Sequence, residues 1–251
     1  MEEKEKIKGH KHILSQVIRD CVNIFTELGF TVADGPEVET EHYNFDALNV
    51  PKDHPARDMW DTFWLADDKG LLRTHTSPVQ VRYMEKNKPP LAIIAPGKVF
   101  RYEATDATHE AQFYQLEGLM IDKTISLANM KAILEFFLTK FFRAEVTIRL
   151  RPSYFPFVEP GSEIDMSCFR CKGNGYGSTG ESCNVCKTTG WIEIMGAGMV
   201  QPSVLNGVGI NPRDWQGFAF GVGIDRIAML KYGVPDVRLF YGGDLRFIEQ
   251  F

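Results

Sequence analysis

Two strand-like segments on either side of a short polar connection constrain this chain more than anything else in it. Leu91 to Glu103 and Phe113 to Ile121 are apolar-rich runs flanking ATDATHEAQ. Strands joined by so short a loop pair antiparallel, because a parallel return needs a crossover of about a dozen residues or more. The first run carries Arg101, and a third segment, GFAFGVGIDRIAML from Gly217 to Leu230, carries Arg226. A charge on a mostly apolar strand needs a partner. Two arginines at separate places suggest a polyanion such as a nucleotide's phosphates.

The rest of the chain reads as helix, then sheet, then helix, without the strict alternation of a parallel sheet. His10 to Leu28 places Ile13, Leu14, Val17, Cys21, Ile24 and Phe25 at helical spacing and stops at Gly29. Ser77 precedes Pro78 and a helical run to about Lys86, which predicts Ser77 as the N-cap. Ser126 is expected to cap a helix whose inner face holds Met130, Leu134, Phe137, Leu138 and Phe141. Glu145 to Arg151 alternates as a half-buried strand does.

Composition excludes several classes. The 251 residues, 44% hydrophobic, suffice for a sizeable core in one large domain or a domain with an insertion. A net charge of -5 argues against a chain that holds nucleic acid unaided, so any such contact is local or shared with a partner. No apolar run approaches the roughly 20 residues of a membrane span. The start, MEEKEKIKGH, lacks a secretory core and reads as solvated. A cytoplasmic location is expected.

The strand period of two sorts the polar residues. Arg101 and Glu103 share a face; so do Phe113, Gln115 and Glu117; so do Ala219 and Gly221; so do Phe155 and Phe157. If these faces meet, they form a slot with an Arg, two carboxylates, an amide, two aromatic rings and a small-residue floor. That inventory suits a zwitterionic apolar substrate beside a phosphate. Patterning alone leaves a salt-bridged surface sheet open.

Cys168, Cys171, Cys183 and Cys186 form two CxxC pairs separated by 11 residues rich in Gly and Ser. In an otherwise cysteine-poor chain this spacing points to a tetrahedral Zn²⁺ site rather than disulfides. WIEIMGAGMV resumes a strand pattern at Trp191, so the expected job is structural, a stapled hairpin over 167–191. A redox or nucleic-acid-touching role stays open. Cys21, alone on an apolar helix face, reads as a packed thiol.

Six blocks in order carry a family resemblance: LGFTVADGPEVE, NFDALNVPKDHPARDMWDTFWL, THTSPVQVR, FRYEATDATHEAQFYQLEG, RPSYFPFVEPGSEID and GFAFGVGIDRIAMLKYGVPDVR. From about Gly9 to Phe251 the chain resembles the catalytic domain of phenylalanyl-tRNA synthetase alpha subunits, which are class II aminoacyl-tRNA synthetases. The resemblance implies an α+β fold, an antiparallel sheet flanked by helices, as one catalytic domain over 1–251 with a small zinc-ribbon-like insertion. It implies activation of L-phenylalanine by ATP to an adenylate and transfer to tRNA(Phe). Arg101 is expected on the alpha-phosphate and the attacking carboxylate, and Arg226 on the gamma-phosphate. Glu103, His109 and Phe113 complete the ATP side. His75, Ser77, Gln115, Glu117, Phe155, Phe157, Ala219 and Gly221 map to the amino-acid pocket.

Glu159 matches a Mg²⁺ position at the border with a beta subunit, and ATP would bring further Mg²⁺. An alpha2beta2 assembly is expected, with Pro36 at a subunit interface and most tRNA contacts on the beta chain. Two positions depart from the family pattern: Tyr114 stands for His, facing away from the slot by parity, and Gln201 stands for His. The chain begins where the family's coiled-coil arm would have ended, so tRNA charging is expected to need more than this chain. Two other readings remain: a paralogue that adenylates another acid, and a non-catalytic scaffold subunit that binds RNA. The joint presence of Arg101, Glu103, Gln115, Glu117 and Arg226 speaks against an inactive site.

Overall fold

The computed structural model describes residues 9–52, 62–66 and 69–251. The charged N-terminal run before Gly9 and part of NFDALNVPKDHPARDMWDTFWL lie outside the described residues.

Helix α1 spans Ile13–Glu27 and is capped by the His12 ring, whose Nδ1 accepts from the Leu14 N–H at 3.3 Å. Two short strands, β1 (Thr31–Val32) and β2 (Val38–Glu39), lead to the single-turn α2 (Glu41–Asn44). After β3 (Leu71–Leu72) and α3 (Ser77–Lys86) comes the antiparallel pair β4 (Leu91–Phe100) and β5 (Gln112–Asp122). Helix α4 (Leu127–Phe142) precedes β6 (Ile148–Pro152), β7 (Val158–Ser167) and β8 (Trp191–Val200). The chain continues through α5 (Pro202–Gly207), β9 (Gln216–Gly223), α6 (Ile224–Tyr232) and α7 (Leu245–Ile248).

Seven strands form the main sheet in the order β1-β4-β5-β9-β8-β7-β6. Every pairing in it is antiparallel except β1 with β4, so the expected antiparallel sheet is mixed at one edge. Helices α1, α4 and α6 cover one face. There Phe25 stacks on Phe220 at 5.2 Å and lies 4.7 Å from Phe137. Each such buried ring contributes about 1.5 to 3 kcal/mol. Gly118 makes this pile possible: a Cβ there would sit 2.2 Å from the Phe220 ring. The other face carries α3 and α5 at one side and is left open at its centre.

Boundaries differ from the expected ones in instructive ways. The strand expected to reach Glu103 ends at Phe100, so Arg101 and Glu103 lie just past it, where the backbone N–H of Glu103 turns back to the Arg101 carbonyl. The strand expected from Glu145 begins only at Ile148. Ser126 does cap α4, in a capping box with Asn129. Ser77 is not the cap of α3. That position falls to Thr76, whose side chain makes no capping bond; Ser77 is the first helical residue, and its hydroxyl donates to Glu117 at 2.5 Å. Arg226 sits in the first turn of α6, exposed, rather than on a buried strand face. Cys21 is fully buried in the core, as its packing role predicts.

Candidate active site

The open centre of the sheet holds a cavity of about 260 Å³. Its floor is the middle of β5, β9 and β8; its walls are the start of α3 and the turn before β7. Strand alternation supplies the floor: Gln115 and Glu117 from β5, Ala219 and Gly221 from β9, Gly196 from β8. Register places Glu117 opposite Gly221, and Gly221 opposite Gly196, so two glycines lie side by side beneath the space. A Cβ on Gly196 would reach within 2.9 Å of the Phe155 ring.

Glu117 is the electrostatic centre. It is 5% exposed, and it accepts from the Thr76 N–H at 3.1 Å, the Ser77 hydroxyl at 2.5 Å and the Gln80 amide at 3.0 Å. An ionised carboxylate has about four acceptor positions, so one remains. Burial pushes this carboxyl up to about 7, against the pull of Ser77, the Thr76 N–H, Arg101 and Arg73. Beside it the Gln115 side-chain oxygen is buried with no hydrogen-bond partner among the described residues. Together they offer acceptors to a cation. His75, buried behind Arg101, is held down to about 3 by burial first and the Arg101 charge second, so its ring is neutral at neutral pH.

Arg101 reaches the cavity from the end of β4. Its Nε donates to the Thr74 carbonyl at 3.1 Å, its Nη1 lies 3.9 Å from Glu103, and the guanidinium sits 5.2 Å from the Phe113 ring centre. Burial lowers its proton affinity, with Glu103 and Glu117 opposing. The opposite wall is aromatic: Phe155 and Phe157 stack with centroids 6.0 Å apart, and Phe157 lies 6.5 Å from the His75 ring.

Thus Arg101, His75, Ser77, Gln115, Glu117, Phe155, Phe157, Ala219 and Gly221 line one space. Glu103 and Phe113 flank it through Arg101. His109, Arg226 and Glu159 are exposed and outside its lining. His109 rests on Asp106 at 3.0 Å, and Arg226 donates to the Glu193 carbonyl at 3.0 Å. Tyr114 packs toward the core on the far face, as parity predicts. Gln201 caps α5 by position, without a side-chain capping bond, and its N–H donates to the Phe157 carbonyl.

Sequence reading passed over three residues here. Gln80 follows Ser77 by three positions, the spacing that puts two side chains on one helix face, and this was the available signal. Arg73 is buried and clamps three carbonyls, donating to Lys98 at 2.8 Å, Gly35 at 3.0 Å and Pro36 at 3.3 Å. Asp225, buried beside Arg226, is pushed up to about 6 by burial.

The four cysteines gather in the connection between β7 and β8, all buried, with their sulfurs within 4.8 Å of one another. Cys168 and Cys183 are 3.8 Å apart and Cys171 and Cys186 3.6 Å. A tetrahedral ion with bonds of about 2.3 Å sets its sulfurs about 3.8 Å apart, so the geometry suits metal binding. Lys172 and Lys187, following each pair, take left-handed backbone angles that turn the two knuckles. The Gly175 N–H donates to the Cys171 sulfur at 3.1 Å.

A family model described as tRNA synthetases class II core domain (F) matches residues 1–251. Phenylalanine--tRNA ligase alpha subunits are similar along nearly the whole chain. That of Enterococcus faecalis is 55% identical, over 99% of this chain and 70% of its own length. One from Streptococcus thermophilus is 56% identical, over 97% and 69%. That of Bacillus subtilis is 55% identical, over 97% and 69%. This chain belongs to the alpha-subunit family of class II phenylalanine--tRNA ligases.

Proposed function

We propose that this chain activates L-phenylalanine with ATP and passes the phenylalanyl group to tRNA(Phe), working beside a beta subunit in an alpha2beta2 assembly. The observation that carries this reading is the convergence, in one cavity, of Glu117 and Gln115 with the Phe155–Phe157 pair and Arg101. The first two accept the substrate ammonium, and Ser77, Gln80 and His75 brace that end. The aromatic pair meets the phenyl ring edge to face, worth about 0.5 to 1.5 kcal/mol per pair beyond burial. Arg101 stands where the substrate carboxylate meets the alpha-phosphate, neutralising charge in an in-line displacement that needs no protein nucleophile. Phe113 and Glu103 take the adenine, and His109 and Arg226 the outer phosphates.

Glu159 is a single exposed carboxylate, outside any cluster of three or more ligand side chains among the described residues. It fits Mg²⁺ only as one oxygen ligand among waters and phosphates, which is how that ion is commonly held. Mg²⁺ would supply charge neutralisation to the polyphosphate. The four thiolates fit Zn²⁺ in number and spacing, and such an ion would staple the β7–β8 connection. A cytoplasmic site of action follows from the reading, and among the described residues no helix is long and apolar enough to cross a membrane.

The test is ATP–pyrophosphate exchange by the protein assembled with its beta partner. Exchange with phenylalanine and not tyrosine is expected. Exchange driven by another acid, or none at all, overturns the reading.

Two predictions follow from the cavity. An ammonium group is held by the ionised Glu117, whose proton leaves near pH 7. The KM for phenylalanine is therefore expected to be flat above about pH 7. Below it, KM rises toward tenfold per pH unit, because binding must then expel a proton. Calorimetry at pH 6 in two buffers of different ionisation heat should detect that proton; its absence rules out Glu117 as the ammonium acceptor. The second concerns Ala219, which lies on the floor beside Gly221. Ala219→Gly enlarges the space and is expected to admit 4-chlorophenylalanine, raising its kcat/KM roughly 10-fold or more. Unchanged rejection of that analogue places the para position elsewhere.

A further inference from the structure

Strand β9 leaves β5 one residue too early. Their pairing ends at Gln115 opposite Gly223, and at Ile224 the chain turns into α6. Residues Phe113 and Tyr114 of β5 still pair with β4 on one side, but on the other side the Tyr114 N–H has lost its strand partner. A buried backbone donor cannot be left without one. The acceptor is supplied by a side chain: Oδ2 of Asp225, the second residue of α6, accepts from the Tyr114 N–H at 2.8 Å. Its other oxygen accepts from the Tyr241 hydroxyl at 2.5 Å.

The same carboxylate thus ties three segments. One is the start of α6, where Arg226 is the next residue. Another is the stretch of β5 between Phe113 and Gln115. The last is the turn Val237–Phe240 with Tyr241 after it. That turn also holds the connection between β4 and β5, because the Val237 N–H donates to the Ala107 carbonyl at 2.9 Å. The brace is one residue along the chain from each of the two it would orient, and none of Tyr114, Asp225 and Tyr241 lines the cavity.

We propose that Asp225 and Tyr241 are positioning residues that fix Arg226 relative to Phe113, and so set the spacing of the ATP half of the site without shaping its amino-acid half. This rests on the assignment of Arg226 and Phe113 to ATP. Glu117, Gln115 and Ala219 are held by the continuous β5–β9 ladder and do not depend on the brace.

Tyr241→Phe removes one hydroxyl and keeps the ring, so it serves as the mild variant; Asp225→Ala removes the brace, and Asp225→Asn keeps an acceptor for the Tyr114 N–H. Binding of Mg·ATP and of phenylalanine is measured separately by calorimetry on the complete protein with its beta partner, alongside thermal unfolding. The expected result is a rise in the Kd for ATP of roughly tenfold in Asp225→Ala and several-fold in Tyr241→Phe, partly rescued in Asp225→Asn. The Kd for phenylalanine should stay within about twofold. Equal weakening of both ligands, or lowered thermal stability with no change in either Kd, overturns the proposal and leaves Asp225 as a fold brace only. If Asp225→Ala does not fold, Tyr241→Phe decides. Because ATP binding is read directly, a wild-type protein that binds ATP but not phenylalanine overturns the substrate assignment and leaves this test standing.

Discussion

Arg101→Ala is expected to lower phenylalanine-dependent exchange by roughly 10²- to 10³-fold, the usual cost of removing one preorganised donor from a developing charge. The guanidinium is anchored before any substrate arrives: its Nε is spent on the Thr74 carbonyl, and Glu103 stands 3.9 Å from Nη1. The remaining N–H groups keep a fixed direction. Arg101→Lys should do nearly as badly, because a single ammonium cannot hold the Thr74 carbonyl and a phosphate in a planar fork at once. A second effect separates this account from a general loss of fold. Arg101 lowers the proton affinity of Glu117 and of His75. Without it the Glu117 carboxyl holds its proton to still higher pH, so the acid-side rise in the phenylalanine KM should begin above pH 7. Exchange kinetics across pH measure both effects. Near-normal exchange in Arg101→Lys would remove the fork argument.

Cys171→Ser, or stripping the protein with a strong thiol-competing chelator, is expected to destabilise it by on the order of 4 kcal/mol, the scale of a lost structural metal. The argument is topological. The connection from Ser167 to Trp191 closes two strands that are hydrogen-bonded neighbours, and its fold contains little apolar core of its own beyond Phe169 stacked on Phe142 at 4.8 Å. A metal held by the four thiolates would therefore do what a hydrophobic core does in a larger unit. Those strands carry Val158, at the start of β7, and Gly196, in the middle of β8, which line the cavity, so the stability loss should come with weaker phenylalanine binding. Elemental analysis and thermal unfolding check this together. Protein that purifies without zinc and unfolds at the same temperature as Cys171→Ser would show that four thiols pack there unaided.

Much of the fold was legible because its signals are local. Helix α1, the capped start of α4 and the β4–β5 pair follow from spacing, an N-cap serine and a short polar loop. The floor residues Gln115, Glu117, Ala219 and Gly221 follow from alternation, which is a property of any strand, whereas Phe155 and Phe157, expected on a strand face, lie in the turn before β7 and reach the cavity from there. What stayed hidden depends on distant partners. Nothing near Ser77 says that a carboxylate 40 positions away will accept a hydrogen bond from its hydroxyl. Arg73 gives no sign that it will hold Gly35, Pro36 and Lys98. The parallel pairing of β1 with β4 is equally silent, since it joins two residues to a strand 62 positions later. Arg101 and Glu103 were placed on the right side of the molecule by a strand rule that formally stops at Phe100.

Strand β9 carries a consequence for how such a pocket can change over generations. Ala219 and Gly221 face the cavity, while Phe218, Phe220 and Val222 face the helices, with Phe220 seated against Gly118. One short stretch therefore writes two instructions, interleaved letter by letter: the size of the cavity on the odd positions, the packing against the helices on the even ones. A mutation at an odd position can retune what is accepted without disturbing the Phe25 stack below. The shape of the cavity can therefore change here while the ring pile on the other face stays as it is.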